Sequence, residues 1–146
     1  MASIWDRPAK PRGRDEGCGD DVAERLAYQV IGAAIEVHRE IGPGMPEMAY
    51  ELALAHELKL RGIDHERQVP VPVVYKGIKV GEGRLDLLVG GRLVVELKSC
   101  EQLLDVHRAQ VRAYLLATGH VLGLLINFNV PILHDGLKRV VNSKPA

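Results

Sequence analysis

The amino-acid sequence predicts an α/β fold in which helices flank a mixed β-sheet. Three observations predict it: two helix-like stretches near the start, two alternating apolar stretches around Gly90-Gly91, and an apolar run, 121–126, after a third helix-like stretch. A continuous apolar run is typical of a strand covered on both faces, and a helix that leads back to it implies a parallel, right-handed crossover. The predicted order is α-α-β-β-β-β-α-β.

Two helices are expected before the sheet. Apolar residues recur at helical intervals from about residue 20 to residue 41, and the Gly-Pro-Gly stretch 42–44 stops them. A second helix begins near Pro46, which suits a first helical turn, and ends at Gly62. Residues 1–19 are rich in Pro, Gly, Arg and Asp without periodicity. We therefore expect a flexible arm, 1–19, and a single domain, 20–146.

Extended segments fill the rest of the chain. Two β-like stretches, 65–69 and 71–75, are separated by Pro70, and Pro72 also restricts them to a sheet edge or a bend. A hairpin is expected over 83–98, then a helix from about residue 105 to 118 that Gly119 closes. A strand follows over 121–126, and a short edge strand is expected over 137–141.

The register of the hairpin follows from its apolar pattern. A two-residue turn at Gly90-Gly91 would place the apolar side chains of the two strands on opposite faces. A three-residue loop, 89–91, with Gly91 left-handed, pairs Asp86 with Val94 and gathers the apolar side chains on one face. These apolar side chains are Leu85, Leu87, Val89, Leu93, Val95 and Leu97. We predict the three-residue loop.

The same register brings Asp86, Glu96 and Lys98 together on the other face. Asp86 and Glu96 become diagonal neighbours about 7 to 8 Å apart at Cα. Two acids and a lysine on a half-buried face are costly unless they pair or bind a metal ion, so a structural ion pair is the alternative. Such a group can hold a divalent cation and orient a water, which indicates metal-assisted phosphodiester hydrolysis.

Composition sets limits on the function. The chain has 146 residues, 47% of them hydrophobic and 26% charged, and its net charge is zero, which counts against non-specific coating of nucleic acid. No apolar run approaches the roughly 20 residues of a membrane helix, so we expect a cytoplasmic protein without membrane contact. The histidines and cysteines lack zinc-ligand spacing.

Several motifs resemble one protein family along nearly the whole chain. The stretch 44–50, GMPEMAY, resembles the G-x-x-E-x-x-Y signature of the GxxExxY proteins, and 81–83 (GEG), Asp86, 95–98 (VELK) and 127–131 (NFNVP) are similar to that family too. These proteins belong to the PD-(D/E)xK nuclease superfamily. The resemblance implies a restriction-endonuclease-like αβββαβ core with Asp86 on its second strand. Leu85 stands where the superfamily name has proline.

The resemblance also implies roles for the acidic residues and the lysine. Asp86 and Glu96 would bind Mg²⁺ or Mn²⁺, and Lys98 would position or activate water. We expect the Leu97 backbone carbonyl as a further metal ligand, and Glu47 as another, although an acid in the first turn of a helix is favoured by the helix dipole anyway.

Four residues are candidates for contacts with Lys98 or the substrate. Gln110 and Tyr114 are four apart on the predicted third helix and resemble a Q-x-x-x-Y element of exonuclease branches, which would orient the lysine or a phosphate. The alternative is that Gln110 is surface and Tyr114 is core. His107 and Arg108 open the same helix and could meet phosphate, with solvent exposure as the alternative.

Tyr50 completes the candidate site as a substrate contact, although packing is the commoner role for such a residue. The expected partner is nucleic acid, with DNA favoured, and a homodimer is left open. The competing hypothesis is a catalytically inactive nuclease-fold module that binds nucleic acid or protein. A third is an enzyme that cleaves a nucleotide-like phosphoester.

Overall fold

A computed structural model describes residues 21–142, in which helices pack on both faces of a five-stranded sheet. The elements are α1 (Asp21–Ile41), α2 (Glu47–Leu60), β1 (His65–Tyr75), β2 (Ile78–Val89), β3 (Leu93–Lys98), α3 (Asp105–Thr118), β4 (Leu122–Asn127), a 3-10 turn (Leu133–Gly136) and β5 (Leu137–Val141). The predicted arm, 1–19, lies outside the described residues. Its separation from a single domain therefore stays a prediction.

The strands lie side by side in chain order, β1-β2-β3-β4-β5. β3 and β4 run parallel, and the other neighbouring strands are antiparallel. This mixed sheet confirms the predicted fold class and the parallel pairing that the apolar run indicated. The predicted separation of 65–69 from 71–75 is wrong, because both belong to β1. β1 is an edge strand, where a proline that lacks an N–H donor is tolerated.

The core consists of two layers, one on each face of the sheet. On one face, α1 and α2 cover an α1/α2-side cluster that includes Leu87, Val89, Leu93, Val95, Leu97, Leu122, Leu124, Ile126 and Phe128. On the other face, α3 covers an α3-side cluster that includes Val71, Leu85, Val94, Val111, Leu115, Leu125 and Val140. Every residue of β4 is buried, as expected for a strand with helices on both faces.

The hairpin register differs from the prediction by two residues. Val89 pairs with Leu93, so the three-residue loop is 90–92, and Asp86 lies level with Glu96. The Arg92 N–H closes this loop on the Val89 carbonyl at 3.1 Å. Because a shift of two residues keeps the pleat, Asp86 and Glu96 still neighbour each other, now directly rather than diagonally. Gly91 is left-handed as predicted, with φ 68°.

Leu85 lies on the opposite face of the sheet from the one predicted. It packs in the α3-side cluster, whereas Leu87, two residues later, packs in the α1/α2-side cluster. The reason is an interruption of the ladder between them. The β1–β2 register passes from Arg67–Leu87 to Val69–Leu85 without a pair at Gln68 and Asp86, and Gln68 is left-handed with φ 54°. Alternation fails at such an irregularity.

Candidate functional site

Strands β2 and β3 separate at the position of Asp86 and Glu96. Their ladder ends at Leu87–Val95, and carboxylate side chains replace the next main-chain bonds. The Asp86 N–H donates to Glu96 Oε1 at 3.0 Å, and the Leu97 N–H donates to Asp86 Oδ2 at 2.8 Å. Each carboxyl group is thereby fixed to the backbone of the other strand, and the two head groups are held side by side.

Both carboxyl groups have raised pKa values. Burial raises the pKa of Glu96 to about 8, and the negative charge of Asp86 adds to the effect. Burial is also the main cause that raises the pKa of Asp86. The two carboxyls share a hydrogen bond, so near neutral pH the pair retains a proton. A divalent cation stabilises the charged forms of its ligands and would displace that proton.

Lys98 is the last residue of β3 and is half-buried. It lies level with Asn127 in the parallel ladder, and its carbonyl accepts the Phe128 N–H at 3.0 Å. The positive charge of Lys98 opposes the increase in the pKa of both Asp86 and Glu96, so the ammonium lies within electrostatic reach of the pair. The structure thus brings the two acids and the lysine together.

The start of α2 adds acidic groups to this site. Glu47 is an exposed residue, yet partial desolvation of its carboxyl raises its pKa, with Lys98 opposing the increase and Asp86 adding to it. Glu51 lies one turn further along the helix and is only 3% exposed. Glu51 was not among the site residues predicted from the sequence. The four-residue spacing from Glu47 was the available signal, because it places both acids on one helix face.

Most of the chain matches one protein family. A model of the PD-(D/E)XK nuclease superfamily matches residues 24–140, which run from α1 into β5 and include every candidate site residue. The chain belongs to the PD-(D/E)XK nuclease superfamily. Neither the comparison with curated proteins nor the comparison with solved structures found a match. Membership confirms the predicted superfamily and agrees with the mixed sheet.

Nucleases of this superfamily typically use divalent metal ions. Within residues 21–142, no three His, Cys, Asp or Glu side chains form a ready metal cluster. Mg²⁺ keeps several waters and needs only one or two protein carboxylates, so the Asp86–Glu96 pair fits such an ion. The Leu97 amide is bonded to Asp86, and the role of the Leu97 carbonyl as a ligand stays a prediction.

Gln110 and Tyr114 face each other on α3. The Gln110 Nε2 lies 3.5 Å from the Tyr114 hydroxyl, and both residues are half-buried. Tyr114 packs against the α3-side cluster and closely against Gly83 of β2, where an added Cβ would lie 2.6 Å from Tyr114 Cε1. Gly83 thus gives the tyrosine room to approach the sheet. The predicted contact of this pair with Lys98 or phosphate stays a prediction.

Tyr50 lies in the core, where a substrate cannot reach it. Its side chain is fully buried and its ring stacks on Phe128 at a centroid distance of 4.5 Å. Its hydroxyl donates to the Gly42 carbonyl at 2.6 Å and accepts the Met45 N–H at 3.1 Å. The expected substrate contact is therefore replaced by a packing role that fixes the loop before α2.

His107 and Arg108 occupy the first turn of α3 in different ways. His107 Nδ1 accepts the Leu104 N–H at 2.9 Å, which caps the helix. Arg108 is exposed to solvent and remains available for phosphate. Among the described residues, no helix has the length and apolar character needed to cross a membrane.

Proposed function

We propose that this protein is a metal-dependent nuclease that hydrolyses nucleic-acid phosphodiester bonds, with DNA as the favoured substrate. The observation that carries the proposal is the adjacent carboxyl pair Asp86–Glu96, with the Lys98 ammonium beside it, in a chain of a nuclease superfamily. We further infer that the chain is a GxxExxY protein, because residues 44–50 fit that signature. A cytoplasmic location and a homodimer stay predictions.

The proposed cofactor is Mg²⁺ or Mn²⁺, held by Asp86 and Glu96, with Glu47 and the Leu97 carbonyl as further ligands. When bound, such an ion polarises a phosphoryl oxygen and lowers the pKa of a bound water. The raised pKa values of Asp86, Glu96 and Glu47 support this assignment, since a cation favours the charged carboxylates that burial disfavours.

The side chains around the carboxyl pair supply orientation and charge. Lys98 orients the attacking water or neutralises negative charge that develops on the phosphate. Gln110, held by Tyr114, orients the lysine or a phosphate oxygen. Arg108 is exposed at the start of α3 and contacts phosphate further along the substrate, whereas the capping bond of His107 limits it to a secondary contact.

Metal binding is the first test. Calorimetric titration with Mn²⁺ and with Mg²⁺ is expected to give one binding event that Asp86→Ala or Glu96→Ala abolishes. Glu40→Ala is the matched control, because Glu40 is an exposed acid at the end of α1. Absence of a binding event in the unaltered protein, or one that survives both substitutions, would contradict the proposal.

Hydrolysis is the second test. The protein is incubated with Mn²⁺ and one substrate at a time. The substrates are single-stranded, duplex and branched DNA, RNA, and a small phosphodiester. Lys98→Ala is expected to lower the cleavage rate about 100-fold or more, because loss of one preorganised charge contact at a transition state has that size. Lys59→Ala, an exposed lysine of α2, should leave the rate unchanged. Preference for the small ester would indicate a nucleotide-like substrate.

The second candidate function is a catalytically inactive module that binds nucleic acid or protein. The net charge of zero favours it, because a neutral chain has little bulk electrostatic attraction for a nucleic-acid substrate. This candidate predicts binding that persists in EDTA and in Asp86→Ala. The nuclease proposal predicts cleavage that both conditions abolish, so the two are separated by one set of assays.

A further inference from the structure

Glu51 is a buried carboxylate that holds the edge strand β1 against α2. It is 3% exposed, and each of its oxygens accepts a hydrogen bond from β1. Arg67 Nη2 donates to Oε2 at 2.6 Å, and Gln68 Nε2 donates to Oε1 at 2.6 Å. A buried carboxylate is tolerated only when it is paired in this way. We refer to Glu51, Arg67 and Gln68 as the Glu51 clamp.

The Glu51 clamp contacts β1 at Gln68, where the β1–β2 ladder is irregular. Gln68 has φ 54°, a left-handed conformation that is disfavoured for a residue with a Cβ. Such a conformation persists only when surrounding interactions enforce it. The two short hydrogen bonds to Glu51, one from Gln68 and one from its neighbour Arg67, are interactions of this kind.

Asp86 lies opposite this irregular residue. The β1–β2 register is regular on both sides but has no pair at Gln68 and Asp86. From this point on, the side chains of β2 change faces, so that Leu85 packs towards α3 while Leu87 packs towards α1 and α2. The strand is therefore turned at Asp86, the residue whose carboxylate binds the Leu97 N–H beside Glu96.

We propose that Glu51 is a positioning residue: through Arg67 and Gln68 it fixes the irregularity of β1 that aims the Asp86 carboxylate at Leu97 and Glu96. The proposal rests on the proposed function in so far as that carboxylate binds the metal ion. The negative charge of Glu51 also acts on both Asp86 and Glu47, which agrees with its position directly behind the site.

The alternative is that Glu51 only ties α2 to β1 and stabilises the fold. The two roles differ in what changes when the clamp is weakened. A general tie affects amides throughout the sheet alike, because they exchange through the same global unfolding. A positioning role affects the Leu97 amide selectively, since that amide is protected by Asp86.

Hydrogen exchange of the metal-free protein tests this difference. In Glu51→Gln, the carboxylate charge that pairs with Arg67 is lost, which weakens the clamp without removing its side chain. We expect exchange at Leu97 to become about ten-fold faster or more, while the Phe128 amide, bonded to Lys98, changes much less. Glu57→Gln is the matched control, because it breaks an ion pair with Arg61 on the same helix. Equal acceleration at both amides, or no change at Leu97, would overturn the proposal.

Mn²⁺ titration of the same variants adds the functional measurement. Glu51→Gln is expected to lower the affinity about ten-fold, and Glu57→Gln is expected to leave it unchanged; unchanged affinity in both would count against positioning of a metal ligand. If the unaltered protein binds no Mn²⁺, the proposed function fails, while the exchange experiment still decides on the clamp.

A second variant keeps the test decisive if Glu51→Gln does not fold. Gln68→Ala removes one hydrogen bond to Glu51 but keeps a Cβ at a φ of 54°, while Arg67 still pairs the buried carboxylate. It should therefore fold and show the same selective acceleration at Leu97, to a smaller extent. Protection of Leu97 equal to that of the unaltered protein would contradict the clamp.

Discussion

The two halves of the β2–β3 hairpin differ in how their backbones are satisfied. Near the loop, Leu87, Leu88 and Val89 pair regularly with β3, and their N–H and C=O groups join an ordinary ladder. At the far end the ladder stops, and the carboxylates of Asp86 and Glu96 accept N–H groups of the opposite strand. The regular half provides burial, and the interrupted half provides the acidic pair.

This difference indicates where on a sheet side chains can converge to form a functional site. A regular ladder uses every main-chain donor and directs side chains alternately up and down, so side chains do not take part in the hydrogen bonds between its strands. Where the strands separate, side chains take over the hydrogen bonds and can converge. Departures from regular geometry are expected at functional sites for this reason.

Truncation in the regular half should have the largest effect on stability. Leu87→Ala removes a fully buried side chain from the α1/α2-side cluster and is expected to cost about 2 to 5 kcal/mol of unfolding free energy. Chemical denaturation measures this loss. The folded fraction should keep its Mn²⁺ affinity, because Leu87 lies in the regular ladder. A fall in affinity at low temperature, where the variant is folded, would show that the two halves are not separable.

The pH dependence of stability should come from the interrupted half. The pKa of Glu96 is about 8 in the folded chain and ordinarily 4.5, so the folded state binds more protons between these values. The stability contribution is therefore complete below about pH 4.5 and is lost as pH rises through 8. In EDTA, the unaltered protein should lose stability from pH 5 to pH 8.

Glu96→Gln should flatten this profile, because a carboxamide does not titrate and can still accept the Asp86 N–H. Denaturation midpoints in EDTA at several pH values measure the effect. Glu40→Gln, an exposed acid, serves as the control and should follow the unaltered protein. Parallel curves for Glu96→Gln and the unaltered protein would contradict the pKa assignment.

A methyl group at Gly83 tests how the interrupted half is supported from α3. The added Cβ would lie 2.6 Å from Tyr114 Cε1, so Gly83→Ala is expected to cost about 1 to 3 kcal/mol and to displace the Tyr114–Gln110 pair. Gly81→Ala is the matched control, since nothing lies within 4 Å of its Cβ. Thermal denaturation and the cleavage rate are measured together, and equal behaviour of the two variants would show that Tyr114 yields without cost.

The smallest effect is expected at Tyr50. Tyr50→Phe keeps the ring stacked on Phe128 but removes the bonds to Gly42 and Met45, at a cost of about 1 kcal/mol of unfolding free energy. Denaturation should detect this change, and the cleavage rate should be unaltered because the side chain is buried. A large loss of cleavage rate with little loss of stability would indicate that Tyr50 contributes to the site.

Regular patterns in the sequence predicted most of the fold. The helical periodicity predicted α1, Pro46 and Gly62 marked the ends of α2, and the apolar run predicted a strand covered on both faces, which is β4. The hairpin could be assigned to the correct pleat but not to the correct pair, because Gly90 and Gly91 are both left-handed and permit either three-residue loop. Hydrophobic alternation constrains a register only to within two residues.

The remaining differences arise from contacts between residues far apart in the chain. The face of Leu85 depends on Gln68, whose conformation accompanies its bond to Glu51 in α2. The burial of Tyr50 depends on its stacking against Phe128, which follows β4. Neither contact leaves a local pattern. The acidic pair was predictable because its two strands are joined by a short loop.

The separated end of the hairpin determines which hydrogen bonds a substitution in the acidic pair removes. Because the ladder already stops at Leu87–Val95, replacing Asp86 or Glu96 removes no main-chain bond from the sheet. The N–H groups of Asp86 and Leu97 are the donors that would lose a carboxylate partner. On the proposed function, loss of hydrolysis through such a substitution would leave the main-chain hydrogen bonds of the sheet in place.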